Sequence, residues 1–560
     1  MIPRTRSSSD VRRISRWDVA ILLLLTALAV VRVVSTYTTF NQTYDEPFHI
    51  AAGMEWLDQG SYTYEIAHPP LARVAVALGP YLSGLRWPDS PLTYPDFRAV
   101  DDEILSAHGN YVRNLTLARI GILPFLILAC VGVFLWAHRW FGRVAAAFSL
   151  FLFVCLPPVL GHAGLATTDM PVAATVATGL YMLVRWIEQP DWPRTGLLGL
   201  AFGAAAVSKF SAVAFLPPCA AAAVIYLAVV NRRVLFACSP RWQRHFFLRF
   251  LLATTVALVF VWSSYRFDMR PISPLHGAHR EIDERLTNSW VRRAAYFVIE
   301  TPLPVIDFYE GVRAVVVHNQ FGHDAYLFQE YRKTGWWYFF LVVLAVKTPI
   351  GFLLLSATGV SAILLKGTPG SWQQRLTVAF PIVILLVCMT SRIDSGVRHI
   401  LPIYPPLAVL GGYGVAWLIQ DARRWMAAGA WLLVASAAAE SMLAHPDYMA
   451  YFNPIASNHP ENVLCDTDLD WGQDLFRLAS RLRSLGVTHL TMKYYGTAPL
   501  DVAGLPSHQE LSPVVPASGY VAISLRELAL GNARDGSYDW LKRYQPVERV
   551  GRSILLFKIP

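Results

Sequence analysis

Long apolar runs, separated by short polar segments, dominate the chain up to about residue 443. A membrane-spanning helix needs roughly 20 mostly apolar residues, and about eleven runs approach or meet that length. They lie at 17–38, 115–137, 144–162, 168–187, 195–208, 211–230, 246–264, 336–365, 374–391, 398–420 and 426–443. The pattern therefore predicts an all-α polytopic membrane protein.

The pattern changes after residue 443. The strand-like pieces HLTMKYYG, GYVAISL and SILLFKI follow a helix-like segment, DLFRLASRLRSLG. Strand and helix patterns mixed in this way are typical of a small α/β domain. We therefore divide the chain into a basic tail (1–16), a membrane part (17–443) and a C-terminal domain (444–560).

The loops between the runs differ systematically in charge. Lysine and arginine favour the short loops on the cytoplasmic side of a membrane. Here they occur in the N-terminal tail and in every second loop, at 138–143, 185–194, 231–247, 366–375 and 420–425. This bias predicts a multi-pass protein of the inner (plasma) membrane with a cytoplasmic N-terminus. The loops 39–114 and 265–335 and the C-terminal domain would then lie on the outer side.

The composition agrees with a membrane location and restricts the kinds of partner that we expect. Only 16% of the 560 residues are charged and 54% are hydrophobic, whereas soluble domains carry about 25% charged residues. The net charge of +9 lies mostly in short loops and not on one soluble face. We therefore expect the lipid bilayer as a partner and no nucleic acid. The six cysteines have no CxxC spacing, so neither a zinc site nor a disulfide framework is indicated.

Two carboxylates and a histidine follow the first apolar run in the stretch TYDEPFHIAAG, residues 43–53. Charged residues at the edge of a bilayer are costly unless they are paired or used. In a helix, Asp45 and His49 would share one face, with Glu46 turned about 100° away. His49 could therefore orient Asp45. The alternative is a helix cap, because acidic residues and Pro47 both favour a helix start.

A third carboxylate, Asp169, occurs in GLATTDMPVAA, on the same predicted side as Asp45. Two carboxylates at an outer cavity could serve as a general base and as an acceptor-binding or metal-binding group. Helix capping is again the alternative for Asp169. His49 and His399 are candidates for orienting a carboxylate or binding a metal. The sequence leaves a divalent cation open and indicates no other cofactor.

Cationic residues also occur on the predicted outer side, against the general trend. The motif HPPLAR contributes His68 and Arg73. Further candidates lie beside apolar helices: Lys209, Lys347, Arg392, Arg398 and His399. These side chains could reach towards lipid headgroups, or they could neutralise a phosphate at the membrane boundary.

Together these residue types favour one kind of chemistry. Carboxylates suit the activation of a hydroxyl nucleophile, cations suit a phosphate leaving group, and the membrane position suits a substrate with a lipid tail. The chain has no Walker loop, dinucleotide-binding fingerprint or HExxH motif, so nucleotide and zinc-protease chemistry have no support.

Seven motifs in order resemble one superfamily. They are YDEPFHIAAG, HPPLAR, TTDMP, AVSKFSA, VKTPIGFLLL, GVRHILPIYPPLAVL and YFNPIASNHPENVLCDTDLDWGQDL. The chain resembles the GT-C superfamily of polyprenyl-phosphate-dependent glycosyltransferases, in the branch of protein O-mannosyltransferases and the aminoarabinose transferase of lipid A. The resemblance covers the membrane part and the start of the C-terminal domain. We expect DLDWGQD itself to be structural.

The resemblance implies a C-type fold with an outer active site. It assigns Asp45 as general base, Glu46 as its support and Asp169 as the second acidic residue. It assigns the donor phosphate to the basic residues Lys209, Lys347 and Arg398, with His68 and Arg73 as further candidates. The aminoarabinose branch has Arg and Lys where this chain has His49 and His68, so its phosphate contacts do not carry over directly.

The activity implied is transfer of a hexosyl or pentosyl group from a polyprenyl-phosphate-linked donor to a hydroxyl of a lipid, glycan or protein acceptor, with inversion. Three alternatives remain at this stage: a transporter or flippase, a polymerase or ligase that uses a pyrophosphate-linked carrier, and a binding module on an inert membrane anchor. A transporter would favour inverted repeats and charges within its spans; the sequence shows no inverted repeat, and its polar residues gather at one face.

Overall fold

The computed structural model describes residues 14–89, 92–230, 240–271, 278–365, 371–420 and 423–560. Within these ranges the chain up to residue 443 is mainly helical. Its longer helices are Arg16–Val34, Tyr111–Ile120, Leu123–Trp140, Arg143–Val154, Pro157–Ala163, Asp169–Glu188, Trp192–Ala206, Ser211–Val230, Pro240–Ser264, Phe339–Lys347, Ile350–Leu365, Trp372–Cys388, Tyr404–Gln420 and Arg424–Leu443. A 3₁₀-helix, Val397–Ile403, leads into Tyr404–Gln420.

The predicted apolar runs all coincide with helices, and the prediction of a polytopic helical membrane protein is confirmed. Among the described residues, seven helices are long and apolar enough to cross a membrane. Two predicted single spans, 144–162 and 336–365, are instead helix pairs bent by 63° and 112°. Pro157 follows the first break and Pro349 lies in the second, and the residue before a proline is disfavoured in helical geometry. The runs 195–208 and 374–391 form helices of 15 and 17 residues.

The basic segments predicted on the cytoplasmic side meet at one end of the bundle. The Nε atom of Arg143 donates to Asp18 at 3.0 Å, and Arg139 binds Glu188 at 2.8 Å. The amide of Gln374 donates to the carbonyl of Trp140 at 2.9 Å. The tail arginines Arg4, Arg6, Arg12 and Arg13, and parts of the loops 231–247, 366–375 and 420–425, lie outside the described residues.

Small residues let the central helices approach closely. A Cβ atom added at Gly359 would lie 2.0 Å from the carbonyl oxygen of Leu410, and one added at Gly414 would lie 2.3 Å from that of Leu355. Close backbone packing through glycine is common between membrane helices, because dispersion contacts drive their association. This packing fixes the helix Tyr404–Gln420 and, through it, the preceding turn Val397–Ile403.

The 39–114 loop is itself helical and packs into the bundle. Its helices are Glu46–Asp58, Pro70–Leu82 and Phe97–Val100, with a π-turn at Asp101–Leu105 and a 3₁₀-turn at Ala107–Gly109. The first two helices meet at Gly53, where an added Cβ would lie 2.0 Å from the carbonyl oxygen of Arg73. This contact brings the DEPFH and HPPLAR motifs together.

Among its described residues, the 265–335 loop contains three helices and two short two-stranded antiparallel sheets. The helices are Ala278–Arg285, Ser289–Glu300 and Ile306–Phe321. One sheet pairs Met269–Arg270 with Leu303–Pro304, and the other is a hairpin that pairs Ala325–Leu327 with Glu330–Arg332.

The C-terminal region forms a five-stranded mixed sheet. Its strand order is Ser507–Glu510, His489–Lys493, Gly519–Ser524, Ile554–Ile559, Glu548–Val550. The first three strands are parallel and the last two are joined to the sheet in antiparallel fashion. The helices are Leu475–Ser484 and Leu525–Asp535, with 3₁₀-turns at Pro460–Asn462 and Asp539–Arg543. The predicted α/β character is confirmed; the strand Ser507–Glu510 was missed because all four of its residues are exposed and show no alternation.

Candidate active site

Asp45 and Arg398 form an ion pair between residues 353 positions apart in the sequence. The Nη1 atom of Arg398 donates to Oδ2 of Asp45 at 2.7 Å. The two side chains are 28% and 16% exposed, respectively. Asp45 precedes the helix Glu46–Asp58, yet its side chain makes no capping hydrogen bond. The expected pairing of Asp45 with His49 is therefore wrong in this structure, because Arg398 holds the carboxylate instead.

The guanidinium of Arg398 is held by its surroundings as well as by Asp45. Its Nε donates to the carbonyl of Ser395 at 3.2 Å, and its Nη2 donates to the hydroxyl of Ser395 at 3.0 Å. It also lies over the ring of Trp471, 4.7 Å from the centroid. Contacts of a guanidinium with hydrogen-bond acceptors and an aromatic face fix its orientation.

A second ion pair joins Asp169 to Lys209. The Nζ atom of Lys209 donates to Oδ1 of Asp169 at 2.5 Å. Asp169 is the first residue of the helix Asp169–Glu188, and its N-cap neighbour Thr168 makes no side-chain capping bond. The other carboxylate oxygen faces Nδ1 of His162 at 3.8 Å. Asp169 is almost completely buried, whereas Lys209 is partly accessible.

His68 connects the two pairs electrostatically. Its side chain is about a third exposed. Burial lowers the pKa of His68 to about 4; the charges of Lys209 and Arg398 add to this effect, and those of Asp45 and Asp169 oppose it. The charges of these four side chains thus act on one imidazole, and we call the two ion pairs, with His68, the charged cluster.

Arg73 lies behind the charged cluster and is fully buried. It forms an ion pair with Glu65 and donates to Nδ1 of His49 at 3.1 Å and to the hydroxyl of Tyr62 at 3.0 Å. The ring of His49 packs edge-on against that of His68, 5.0 Å away. Burial holds the pKa of His49 well below its usual value, and the charge of Arg73 adds to this. His49 is thus a neutral acceptor for Arg73.

Glu46 is completely buried and accepts five hydrogen bonds. Arg119 supplies two of them, at 2.9 and 2.8 Å. The others come from the backbone amide and hydroxyl of Thr43 and the amide of Ala166. Burial alone would raise the pKa of Glu46, but Arg119 and these donors lower it. Glu46 therefore ties the start of the Glu46–Asp58 helix to two other segments.

Lys347 is also completely buried. Its ammonium donates to the backbone carbonyls of Met449 at 2.8 Å and Asp468 at 2.6 Å, and it lies 4.2 Å from the ring centroid of Phe452. These contacts correct the expectation of an ammonium open to a donor phosphate, since the charge is already bound to the C-terminal region.

His399 follows Arg398 in the same turn and is half-buried. Its Nε2 atom is buried and has no hydrogen-bond partner among the described residues. Its ring packs 6.1 Å from that of Phe340. In the part of the chain that the structure describes, no group of three or more His, Cys, Asp or Glu residues is arranged to hold a metal ion.

Several residues of the site carried no clear signal in the sequence. Arg119 and Glu65 provide the buried partners of Glu46 and Arg73; a charge inside an apolar run and an acid before HPPLAR could have indicated them. Ser395 and Asp466 also belong to the site, where the hydroxyl of Ser395 donates to Asp466 at 3.0 Å. Asp466 lies in the DTDLDWGQD stretch, whereas nothing in the sequence around Ser395 indicated its role.

Comparison with known proteins agrees with this architecture. Residues 113–266 match the family model of dolichyl-phosphate-mannose-protein mannosyltransferases. No curated protein matches the sequence significantly.

The crystal structures that resemble nearly the whole chain include those of two proteins. One is ArnT from Cupriavidus metallidurans bound to undecaprenyl phosphate: 13% identity, a TM-score of 0.50, and coverage of 96% of this chain and 98% of ArnT. The other is the apo oligosaccharyltransferase of Archaeoglobus fulgidus: 11% identity, a TM-score of 0.51, and coverage of 95% and 73%. At these identities the likeness is one of fold. The resemblance indicated by the motifs is thus confirmed, and the chain has the fold of the GT-C glycosyltransferases.

Proposed function

We propose that this chain is an integral-membrane glycosyltransferase that transfers a sugar from a polyprenyl-phosphate donor to an acceptor hydroxyl on the extracytoplasmic side. The observation that carries the proposal is the charged cluster, in which the pairs Asp45–Arg398 and Asp169–Lys209 act on His68. Undecaprenyl phosphate bound to ArnT, which has a similar fold, supports a lipid-linked donor.

The reaction would be a single displacement. Asp45 accepts the proton of the acceptor hydroxyl, whose oxygen attacks the anomeric carbon. The bond from that carbon to the phosphate oxygen breaks, and polyprenyl phosphate leaves with the electron pair. Attack opposite to the leaving group inverts the anomeric configuration. A positioned base typically contributes about 10²–10⁴-fold. The partial exposure of Asp45 supports this role, because a base must reach its substrate.

Arg398 and Lys209 would bind the donor phosphate. The donor is a phosphodiester with one negative charge, and the departing polyprenyl phosphate carries up to two. Cations fixed beside the phosphate therefore stabilise the transition state more than the ground state, which is the requirement for catalysis. Each cation now pairs with a carboxylate, so the phosphate would share or replace these partners on binding.

The buried residues would position this machinery. Glu46 with Arg119, and Arg73 with Glu65 and His49, hold the two helices of the 39–114 loop. We assign Lys347 to holding the C-terminal region, in place of phosphate binding. The side of the membrane follows from the charge bias of the loops, and the meeting of the basic segments at one end of the bundle supports it.

The test is an assay of purified protein in vesicles with a panel of polyprenyl-phosphate sugars. We expect acceptor-dependent release of polyprenyl phosphate, and a loss of about 10²–10⁴-fold in Asp45→Asn, as for the removal of a general base. Asp501→Asn, an exposed carboxylate of the C-terminal region, is the matched control. Movement of intact donor across the vesicle without phosphate release would favour a flippase and contradict the proposal.

A further inference from the structure

Asp466, in the DTDLDWGQD stretch, binds Arg526 at the start of the helix Leu525–Asp535. The Nε atom of Arg526 donates to Oδ1 of Asp466 at 2.7 Å. The other oxygen of Asp466 accepts the hydroxyl of Ser395 at 3.0 Å, and that hydroxyl accepts a hydrogen bond from Arg398. A continuous polar chain therefore runs from the C-terminal region to the cation that holds Asp45.

A second route leads from Arg526 through two stacked tyrosine rings to the residue next to Asp45. Its guanidinium lies 3.8 Å from the ring centroid of Tyr495. That ring stacks on Tyr44, with the centroids 5.2 Å apart and an angle of 12° between the planes. Tyr44 immediately precedes Asp45.

The backbone of Tyr44 is held by the C-terminal region on both sides. Its amide donates to the carbonyl of Trp471 at 3.1 Å, and its carbonyl accepts the hydroxyl of Thr497 at 3.2 Å. The same Trp471 lies under the guanidinium of Arg398. The C-terminal region therefore contacts both sides of the ion pair, and Arg526 is the side chain common to the two routes.

We propose that Arg526 is a positioning residue of the reaction centre, which keeps Arg398 on Asp45 and away from Asp466. This inference rests on the proposed function of the Asp45–Arg398 pair. The residues 444–560 are then part of the active site and not an appended module.

The physical reason is competition between two carboxylates for one guanidinium. Asp466 is buried, and Arg526, His323 and Arg398 keep its pKa below the usual value although burial acts to raise it. Without Arg526 the buried charge of Asp466 loses its direct partner, and leaving a buried charge unpaired is strongly unfavourable. Arg398 is the neighbouring cation, separated from Asp466 by a single hydroxyl. It would turn from Asp45 to Asp466.

The first test uses Arg526→Gln in the vesicle assay. We expect kcat/KM for the donor to fall at least about tenfold, equivalent to ~1.4 kcal/mol, with a higher KM because Arg398 no longer meets the phosphate. The matched control is Arg481→Gln, which removes an arginine from an exposed pair with Glu548 in the same domain. An unchanged kcat/KM in Arg526→Gln would refute the proposal.

A second variant separates positioning from loss of structure. Adding Asp466→Asn to Arg526→Gln removes the charge that attracts Arg398, so the double variant should regain part of the lost activity. Two substitutions that only disturb packing would instead add their losses. A double variant that is worse than Arg526→Gln alone would contradict the competition.

A structure of Arg526→Gln provides a readout that does not need activity. We expect Arg398 bonded directly to Asp466, and Asp45 left without its 2.7 Å partner. Arg398 found still on Asp45 would overturn the inference. If Arg526→Gln does not fold, Ser395→Ala interrupts the same chain while leaving the Arg526–Asp466 pair intact, and its donor KM should rise. Failure of the wild-type protein to transfer any sugar would count against the proposed function alone.

Discussion

Asp45 and Glu46 are adjacent in the chain and carry the same functional group, but they differ in exposure and in the number of donors that they accept. Glu46 is fully buried and accepts five hydrogen bonds, two of them from Arg119. The side chain of Asp45 is 28% exposed, and Arg398 is the partner that holds it among the described contacts.

This difference separates a positioning carboxylate from a reacting one. An ionised carboxylate offers about four lone-pair sites, and the five donors around Glu46 occupy them. Protonation of Glu46 would break these bonds and leave Arg119 buried without a counter-charge. Among the described contacts Asp45 has one side-chain donor, Arg398, and its partial exposure leaves carboxylate lone pairs within reach of a substrate. A catalytic base needs that unused capacity as well as a suitable position.

The largest expected effect on stability comes from the partner of Glu46. Arg119→Ala leaves Glu46 charged, buried and unpaired, and such a change costs about 3–5 kcal/mol. Thermal unfolding can be followed with a thiol-reactive dye, because the five cysteines among the described residues are all buried. Arg398→Ala is the matched variant and should cost far less, since Asp45 is partly exposed. Equal losses of stability in Arg119→Ala and Arg398→Ala would contradict the difference drawn between Glu46 and Asp45.

Asp394 extends the comparison to a buried carboxylate that forms no ion pair with a cation among the described residues. It accepts a hydrogen bond from the amide of Trp336 at 2.7 Å, and its other oxygen has no hydrogen-bond partner in the described part of the chain. Burial raises its pKa from 3.8 to about 7. The folded state therefore binds the proton more tightly than the unfolded state. Stability from this group is full below pH 4 and is lost as the pH rises towards 7 and above.

Asp394→Asn should remove this pH dependence. At about 1.4 kcal/mol per pH unit, ionisation of Asp394 costs at most ~4 kcal/mol at pH 8. The variant should therefore unfold at a higher temperature than the wild type at pH 8, with a smaller difference at about pH 5 and little difference below about pH 4. A variant less stable than the wild type at pH 8 would show that the carboxylate is paired when ionised.

Asp45→Asn should change stability by less than about 1 kcal/mol, because partly exposed ion pairs contribute little. The same variant is expected to lose transfer activity. Glu46→Gln is the matched substitution and should lower the unfolding temperature clearly, since Arg119 stays charged and buried. A marked fall in the unfolding temperature of Asp45→Asn would mean that Asp45 is structural after all.

The smallest effect is expected at a surface pair. Arg481 and Glu548 in the C-terminal region are 41% and 36% exposed, and such pairs are worth roughly 0–1 kcal/mol. Arg481→Gln should therefore leave the unfolding temperature nearly unchanged at physiological salt. A large fall in the unfolding temperature of Arg481→Gln would show that the unfolding signal responds to any change of charge in this region. The loss of stability in Arg119→Ala would then have to be compared with a different control variant.

The helices and the candidate charges could be predicted from the sequence, because both depend on local information. Apolar runs of about 20 residues indicate helices wherever they occur in the chain, and the strand pattern of HLTMKYYG and SILLFKI depends on near neighbours. The bends at 155–156 and 348–349 needed knowledge of packing as well as of the prolines.

The partners of the charges could not be predicted. Helical spacing pointed from Asp45 to His49, four residues away, whereas the structure pairs Asp45 with Arg398 and His49 with Arg73. Side-chain pairing in a folded protein depends on which helix ends meet, and local spacing contains no information on that. Lys347 was misjudged for the same reason, since the carbonyls that bind it come from 102 and 121 positions away.

By itself, the sequence determined that the chain is a membrane protein, where its helices lie and which residues carry the charges, since hydrophobic transfer and backbone hydrogen bonding act over a few turns of chain. Only the tertiary structure decided that Glu46 is fully buried while Asp45 stays partly exposed. It also decided that residues 444–560 contact Tyr44, the neighbour of Asp45, and Arg398. Burial and ion pairing are properties of the assembled bundle, because each depends on atoms brought together from hundreds of positions apart.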